Sequence, residues 1–240
     1  MIDDRSVLAV VPARGGSKGI PLKNLREVGG RSLVARVGDV IRAVPEIDRA
    51  VVSTDHAGIA TAAKAAGIDA PFLRPEGISG DRIGDFDVLL HALQATEAVD
   101  QRRYEVVVML QPTSPLRTPE QVSGTIRMLA KGNWDSVWTI SPTDSKSHPL
   151  KQLTIGGNGE LGYYDPRGEG VTARQELSPV YHRNGISYAI TRACLLDQGS
   201  IKGRRTGAFV VEGKHISIDT EWDIALVEWI LAQRAVGELQ

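Results

Sequence analysis

The chain has 240 residues, 42% hydrophobic and 24% charged, which suits one large soluble α/β domain with room for a small appendage. Its 28 basic and 29 acidic residues nearly cancel, which argues against nucleic acid as a partner while leaving space for a local basic site. A single cysteine, Cys194, excludes a disulfide framework and a cysteine-rich zinc site, and no apolar run approaches the roughly 18–20 residues that span a bilayer.

In chain order, Ser6–Pro12 reads as a buried strand. Arg31–Val44 follows as a helix, with Leu33, Val34, Val37, Val40, Ile41 and Val44 at helical spacing and Pro45 closing it. Arg49–Asp55 predicts a second strand, Ile59–Ala66 an alanine-rich helix, Ala70–Leu73 a short strand and Phe86–Ala98 a helix. Glu105–Gln111 is the strongest strand, because its apolar run is continuous and ends at prolines. Pro119–Ala130 is a helix with proline in its first turn, and Ser136–Ile140 another strand. Between about 141 and 187 the rhythm changes. There LKQLTIGGNGELGYYDP has two short runs about a GGNG turn, a hairpin signal, and the stretch reads as an insertion of antiparallel strands. Strands at Gly185–Ile190 and Ala208–Val211 and a helix from Glu221 to about Ala235 complete the chain.

This alternation predicts a mostly parallel sheet covered by helices on both faces, in which ligands bind beyond the carboxyl ends of the strands. The first such end carries VVPARGGSKGIPLKNL, from Val10 to Leu25. It lacks the GxxxxGK[ST] of a Walker loop and the GxGxxG of a dinucleotide fold. Gly15–Gly19 does match GxSxG, the nucleophile elbow of α/β-hydrolases, with Ser17 as nucleophile. That elbow normally follows several strands, and a hydrolase has no use for Arg14, Lys18 and Lys23 around its serine. A polyphosphate cradle accounts for more. Backbone amides from Ala13 through Gly16, unobstructed at the two glycines, make an anion-binding concavity, and the three cations, joined by Ser17 and Asn24, reach several phosphate oxygens. Left without a ligand, three uncompensated cations at a strand end would gain nothing; a solvated glycine-rich loop is the plain alternative.

PARGGSKGIPLKNL closely resembles the signature loop of the CMP-sialic acid synthetase (acylneuraminate cytidylyltransferase) family. The resemblance continues through VSTD at 52–55, LRPEGISGD at 73–81, LQPTSPLRT at 110–118, the Asn184–Tyr188 arrangement and SIDTEWD at 217–223. It implies a three-layer α/β/α Rossmann-like nucleotidyltransferase fold, with the insertion at about 141–187 as a homodimerisation arm. It further implies CTP and an acidic 2-keto sugar as substrates. By the same resemblance Mg²⁺ sits on Asp219, although family members often have a second aspartate where this chain has Ser217. Thr220 and Asp223 form a capping-box pattern, so Asp223 reads as a cap and Asp219 as the carboxylate left free.

The other candidates follow the remaining strands. Gln111, Thr113, Ser114 and Arg117 present an amide, hydroxyls and a guanidinium that suit a polyhydroxylated carboxylate, while Thr118 and Pro119 read as a helix cap and first turn. The resemblance gives this turn, Gln111 above all, to the sugar. It puts Arg74 against the nucleoside and Asp85 in the base pocket, where Asp85 equally reads as a helix cap. Asn184 and Tyr188 fall beside the site, and Arg174, His182 and Arg183 flank the path back from the arm. His91 and His148 read as structural or capping residues. The expected reaction is attack of an anomeric hydroxyl on the α-phosphate of CTP, catalysed by Arg14, Lys18, Lys23 and Asp219. Alternatives are Kdo, another nonulosonate, a phosphonate acceptor, GTP as donor, or, from another class, a non-catalytic nucleotide-binding module. The N-terminus carries acidic residues before a short apolar segment, unlike a signal peptide, so a cytoplasmic location is expected.

Overall fold

The computed structural model describes residues 2–213 and 215–238. Its contacts divide them into two compact units. The first holds the chain up to Thr139, then Asn184–Phe209, then the stretch from His215 onward; the second holds Ile140–Arg183 and a short stretch beginning at Val210.

The first unit is built on a six-stranded sheet. In chain order its strands are β1 (Val7–Pro12), β4 (Arg49–Ser53), β5 (Val106–Met109), β6 (Ser136–Pro142), β9 (Tyr181–Thr191) and β10 (Thr206–Val210). They lie in the order β10-β6-β9-β5-β1-β4. β1 pairs in parallel with β4 on one side and β5 on the other, and β9 runs antiparallel to β5. A minor antiparallel pair, β2 (Glu27–Val28) and β3 (Arg31–Ser32), precedes the first helix.

Among the described residues, α1 (Leu33–Arg42), α2 (Ala57–Ala65), α3 (Asp85–Asp100), α4 (Pro119–Lys131) and α5 (Arg192–Leu196) pack on the sheet, and α6 (Glu221–Ala235) completes the helices. The strand period of two divides the core. Val7, Ala9 and Val11 of β1 pack with Val34, Val37 and Ile41 of α1, Ile59 and Ala63 of α2 and Val122 and Ile126 of α4. Leu8 and Val10 face the other way, onto Leu89, Ala92 and Leu93 of α3 and Cys194 and Leu195 of α5. The predicted three layers follow directly. A third cluster joins Ile20, Val28, Leu33 and Leu116 to Ile218, Ile224 and Val227, and so seats the start of α6 beside the loop that follows β1.

Helix ends carry the expected chemistry. Thr118 and Gln121 form a capping box at α4, with Pro119 at its first position, and Thr220 and Asp223 form another at α6. The first helix is shorter than its apolar period, because Ser32 caps it and Arg31 belongs to β3. The strand expected at Ala70–Leu73 is absent. Only Asp69 pairs with β4, through Val52 N–H to Asp69 O (2.8 Å) and Asp69 N–H to Ala50 O (3.0 Å). Pro71 has no N–H to extend that ladder, and the Arg74 amide instead donates to Thr54 O at 2.7 Å.

The second unit contains the antiparallel hairpin β7 (Leu153–Ile155) and β8 (Leu161–Tyr163), in the register Leu153–Tyr163 and Ile155–Leu161. Gly159, at φ 82°, makes its turn. Leu153, Ile155, Leu161 and Tyr163 are all exposed. His148 caps a short turn here through Nδ1, which accepts from the Leu150 amide. His182 Nδ1 lies 3.0 Å from Thr143 Oγ1, and Arg174 and Arg183 belong to this unit as well.

Candidate active site

The first unit has a cleft of about 380 Å³ at the carboxyl ends of β1 and β5. Ala13, the first residue past β1, is fixed by its amide, which donates to Ser53 O at 2.9 Å. The chain then turns through the glycines. Gly16 and Ser17 line the cleft, and Leu22 reverses direction in the left-handed conformation at φ 46° before a 3-10 turn at Lys23–Leu25. Asn24 is buried and donates from Nδ2 to Arg14 O (2.9 Å), which pins the two ends of the loop together.

The loop is also joined to the segment before α6. A Cβ added at Gly19 would collide with the backbone carbonyl oxygen of Asp219, so glycine is required there for close approach. Lys23 Nζ donates to Ile218 O (2.7 Å) and to Asp219 Oδ1 (2.8 Å). The Ile218 amide donates to Thr113 O at 2.9 Å, which brings in the turn after β5. Three segments distant in sequence therefore meet: Ala13–Asn24, Gln111–Thr113 and Ser217–Asp219. Arg14, Gly16, Ser17, Lys23, Asn24, Arg74, Asp85, Gln111, Thr113 and Asp219 all line the cleft.

The loop cations are not uncompensated, contrary to the sequence reading. Asp81 takes Arg14 (2.5 Å) and Lys18 (2.8 Å), and Asp219 takes Lys23. Lys18 and then Arg14 hold the Asp81 carboxyl below the usual range. Even a loop amide is engaged, since Gly15 N–H donates to Asp55 Oδ1 at 2.7 Å, and a Cβ at Gly15 would crowd His56. Asp55 and Asp81 had no assigned role in the sequence reading. Both close stretches already singled out there, VSTD and LRPEGISGD, so the motif boundaries carried the signal.

Other expected positions differ from the sequence reading. Arg117 does not reach the cleft. Its guanidinium is buried and donates to the carbonyls of Gln111 (2.6 Å), Gly185 (3.0 Å) and Ile186. Burial pushes its pKa down to about 9, which still leaves it a cation at neutral pH. Ser114 Oγ is likewise buried and donates to Asn184 O at 2.9 Å. Asn184 Oδ1 accepts from Thr139 Oγ1 and the Ile186 amide, and the Tyr188 hydroxyl accepts from the Gly185 amide while its ring stacks on Trp138. A Cβ at Gly185, itself at φ 69°, would strike the Gln111 side chain. Ser114, Arg117, Asn184 and Tyr188 thus form a buried scaffold behind Gln111.

Arg74 is buried as well, donating to Ser53 Oγ (3.0 Å) and Ser53 O, yet it borders the cleft, and burial pushes its pKa down. Asp85 opens α3 but is not its cap, which is Gly84. His91 lies within α3, edge-on to Phe72, and caps nothing.

Asp223 is the cap its pattern predicts, whereas Asp219 is paired with Lys23 rather than left free. Asp223 Oδ2 accepts from the Asp219 and Thr220 amides and the Thr220 hydroxyl. Burial raises its pKa, but those donors outweigh it and leave the carboxyl below its usual range. Asp219 remains 72% exposed, with Lys23 on one oxygen, and lines the cleft. Among the described residues no group of three or more His, Cys, Asp or Glu could hold a metal by itself. One exposed carboxylate beside the Ser217 segment fits a hard divalent cation whose remaining ligands are phosphate oxygens and water.

Comparison with known proteins bears on this cleft. Residues 8–183 match the family model described as cytidylyltransferase. The chain belongs to the cytidylyltransferase family. Among relatives of this cytidylyltransferase, a CMP-N,N'-diacetyllegionaminic acid synthase of Legionella pneumophila is 30% identical, over 94% of this chain and 96% of that protein. An N-acylneuraminate cytidylyltransferase A of Danio rerio is 29% identical, over 92% of this chain and 50% of that protein. A solved CMP:2-keto-3-deoxy-manno-octonic acid synthetase, complexed with CTP, shares the fold with a TM-score of 0.71 at 18% identity, covering 95% of this chain and 99% of that one.

Proposed function

We propose that this cytidylyltransferase transfers CMP from CTP to an acidic 2-keto sugar of the nonulosonic type, releasing pyrophosphate. The observation that carries the reading is the convergence of Arg14 and Lys23 with Asp219 on one cleft, with Lys18 beside them on Asp81. Family membership and the names of the relatives support the nucleotide and the acid.

In the proposed reaction the anomeric hydroxyl attacks the α-phosphorus in line. A new P–O bond forms as the bond to the β-phosphate oxygen breaks, and the hydroxyl proton leaves to solvent. The protein has little covalent work, so its contribution is positioning and charge neutralisation. Arg14, Lys18 and Lys23 hold the triphosphate and stabilise the departing pyrophosphate, with the amide of Gly16, on the cleft wall, completing the cradle. Arg74 and Asp85 border the nucleoside end, where Asp85 is an acceptor suited to the cytosine amino group. Gln111 and Thr113 present an amide and a hydroxyl to the sugar, and the Arg117 scaffold holds their turn in place. A Mg²⁺ ion on Asp219, when bound, supplies charge neutralisation at the phosphates.

The exposed leucine, isoleucine and tyrosine side chains of β7 and β8 support a second reading for the second unit, as the arm through which two copies associate. A reaction that consumes CTP belongs where nucleoside triphosphates are held, in the cytoplasm.

Incubation with Mg²⁺, each of the four nucleoside triphosphates and a panel of nonulosonic acids, Kdo and a phosphonate tests the assignment through pyrophosphate release. The expected result is release with CTP only, in the presence of a nonulosonic acid. Release with GTP, or only with Kdo or the phosphonate, changes the partners. No release under any combination removes the transfer reaction.

A further inference from the structure

Two of the three loop cations share a single acid. Arg14 Nη1 lies 2.5 Å from Asp81 Oδ1 and Lys18 Nζ lies 2.8 Å from Asp81 Oδ2, one carboxylate oxygen for each cation. Two oxygens on one centre, each accepting from a different cation, reproduce the pattern that two non-bridging oxygens of a phosphate group would present. Triphosphate and Asp81 therefore compete for the same two side chains.

The segment that carries Asp81 is fastened lightly. The hydrogen bonds of residues 76–83 run inside the segment and to Pro75: Ile78 N–H to Pro75 O (3.1 Å), Ser79 N–H to Glu76 O (2.9 Å), Ser79 Oγ to Pro75 O (2.9 Å) and Ile83 N–H to Gly80 O (3.3 Å). Among the described residues, the pairs made by Asp81 are the segment's only polar ties to the rest of the chain. Its glycines are loosely surrounded. A Cβ at Gly77 would meet nothing within 4 Å, and one at Gly80 would meet only Ile83, at 3.9 Å. Gly80, Asp81 and Ile83 form part of the cleft wall, so the segment sits where an incoming ligand passes.

We infer that Asp81 is an internal stand-in for phosphate, which holds Arg14 and Lys18 in position while the cleft is empty and yields both to the triphosphate. It recaptures them as pyrophosphate departs. The inference rests on the proposed triphosphate cradle. Asp81 is a positioning residue: it keeps two long, flexible cations ordered, and the same contact weakens the grip on nucleotide and product alike. Each partly exposed pair is worth a factor of up to about five, so removing the competing charge raises affinity by about tenfold.

Calorimetric titration with inorganic tripolyphosphate and with pyrophosphate, without acceptor, tests this in the wild-type protein and in Asp81→Asn, Asp81→Glu and Arg14→Ala. Asp81→Asn is expected to bind both anions about tenfold more tightly. Asp81→Glu keeps the charge and is expected to stay near wild type, and adding Arg14→Ala to Asp81→Asn is expected to abolish the gain. In steady state, Asp81→Asn lowers the CTP KM and sharpens inhibition by pyrophosphate, a split that a loss of packing alone would not produce. Asp81→Ser reads out the same competition through a smaller side chain, should the amide variant fold poorly. Wild-type binding with unchanged or weaker binding in both neutral variants overturns the stand-in role and leaves the cradle intact. Failure of every variant to bind either anion overturns the cradle, and the stand-in role with it.

Discussion

Arg14 and Arg117 both follow strands of the same sheet, each inside a proline-containing turn, yet the two do opposite work. Arg14 lies beyond β1, partly exposed, with the exposed Asp81 carboxylate as its partner. Arg117 lies beyond β5, buried, with three backbone carbonyls as its partners. An exposed acidic partner suits a ligand-binding arginine, because exchange of one anion for another costs little. Fixed carbonyl partners suit a buttress, because the guanidinium satisfies groups that burial would otherwise strand.

The largest effect should come from the buttress. Arg117→Met removes the guanidinium donor shared by the carbonyls of Gln111, Gly185 and Ile186, of which Gln111 O keeps the Ser114 amide, and is expected to cost about 3 kcal/mol in denaturant unfolding. A stability near wild type with lost turnover would instead return Arg117 to the substrate. For the cleft loop the expectation reverses. Arg14→Ala or Lys18→Ala should cut turnover by about 10²-fold while the unfolding midpoint stays close to wild type; a normal rate in either removes that cation from the reaction. Lys23 stands between the two cases, with one bond to the Ile218 carbonyl and one to Asp219. Lys23→Met is expected to lose about 1 kcal/mol of stability together with part of the rate. A change in only one of these measurements assigns Lys23 wholly to one role.

The sequence foreshadowed the layers well, because strand and helix periods are local properties. Val7–Val11 alternates between two helical layers as its position predicts, and Thr118 and Thr220 cap the helices their patterns announced. The missing strand at Ala70–Leu73 shows the limit: a short apolar run cannot reveal whether a free ladder edge awaits it, and Pro71 would refuse the bond in any case. Within the cleft, the convergence of Lys23 and Asp219 could be anticipated from the two motifs. The fate of Arg117 could not, since its partners are carbonyls up to 69 residues away, and a backbone carbonyl leaves no mark in a sequence. Asp81 escaped for a related reason. An aspartate between glycine and arginine looks like turn chemistry until its distance to Lys18 is measured.

The meeting of Gly19 with the Asp219 carbonyl has a consequence for anyone rebuilding this enzyme. Main chain abuts main chain there, with no side chain between to absorb a misfit. Grafting a foreign C-terminal helix onto this framework would shift the glycine-rich loop after β1 by whatever the new junction is displaced. Chimeras should therefore exchange the two segments as a pair, or break outside both.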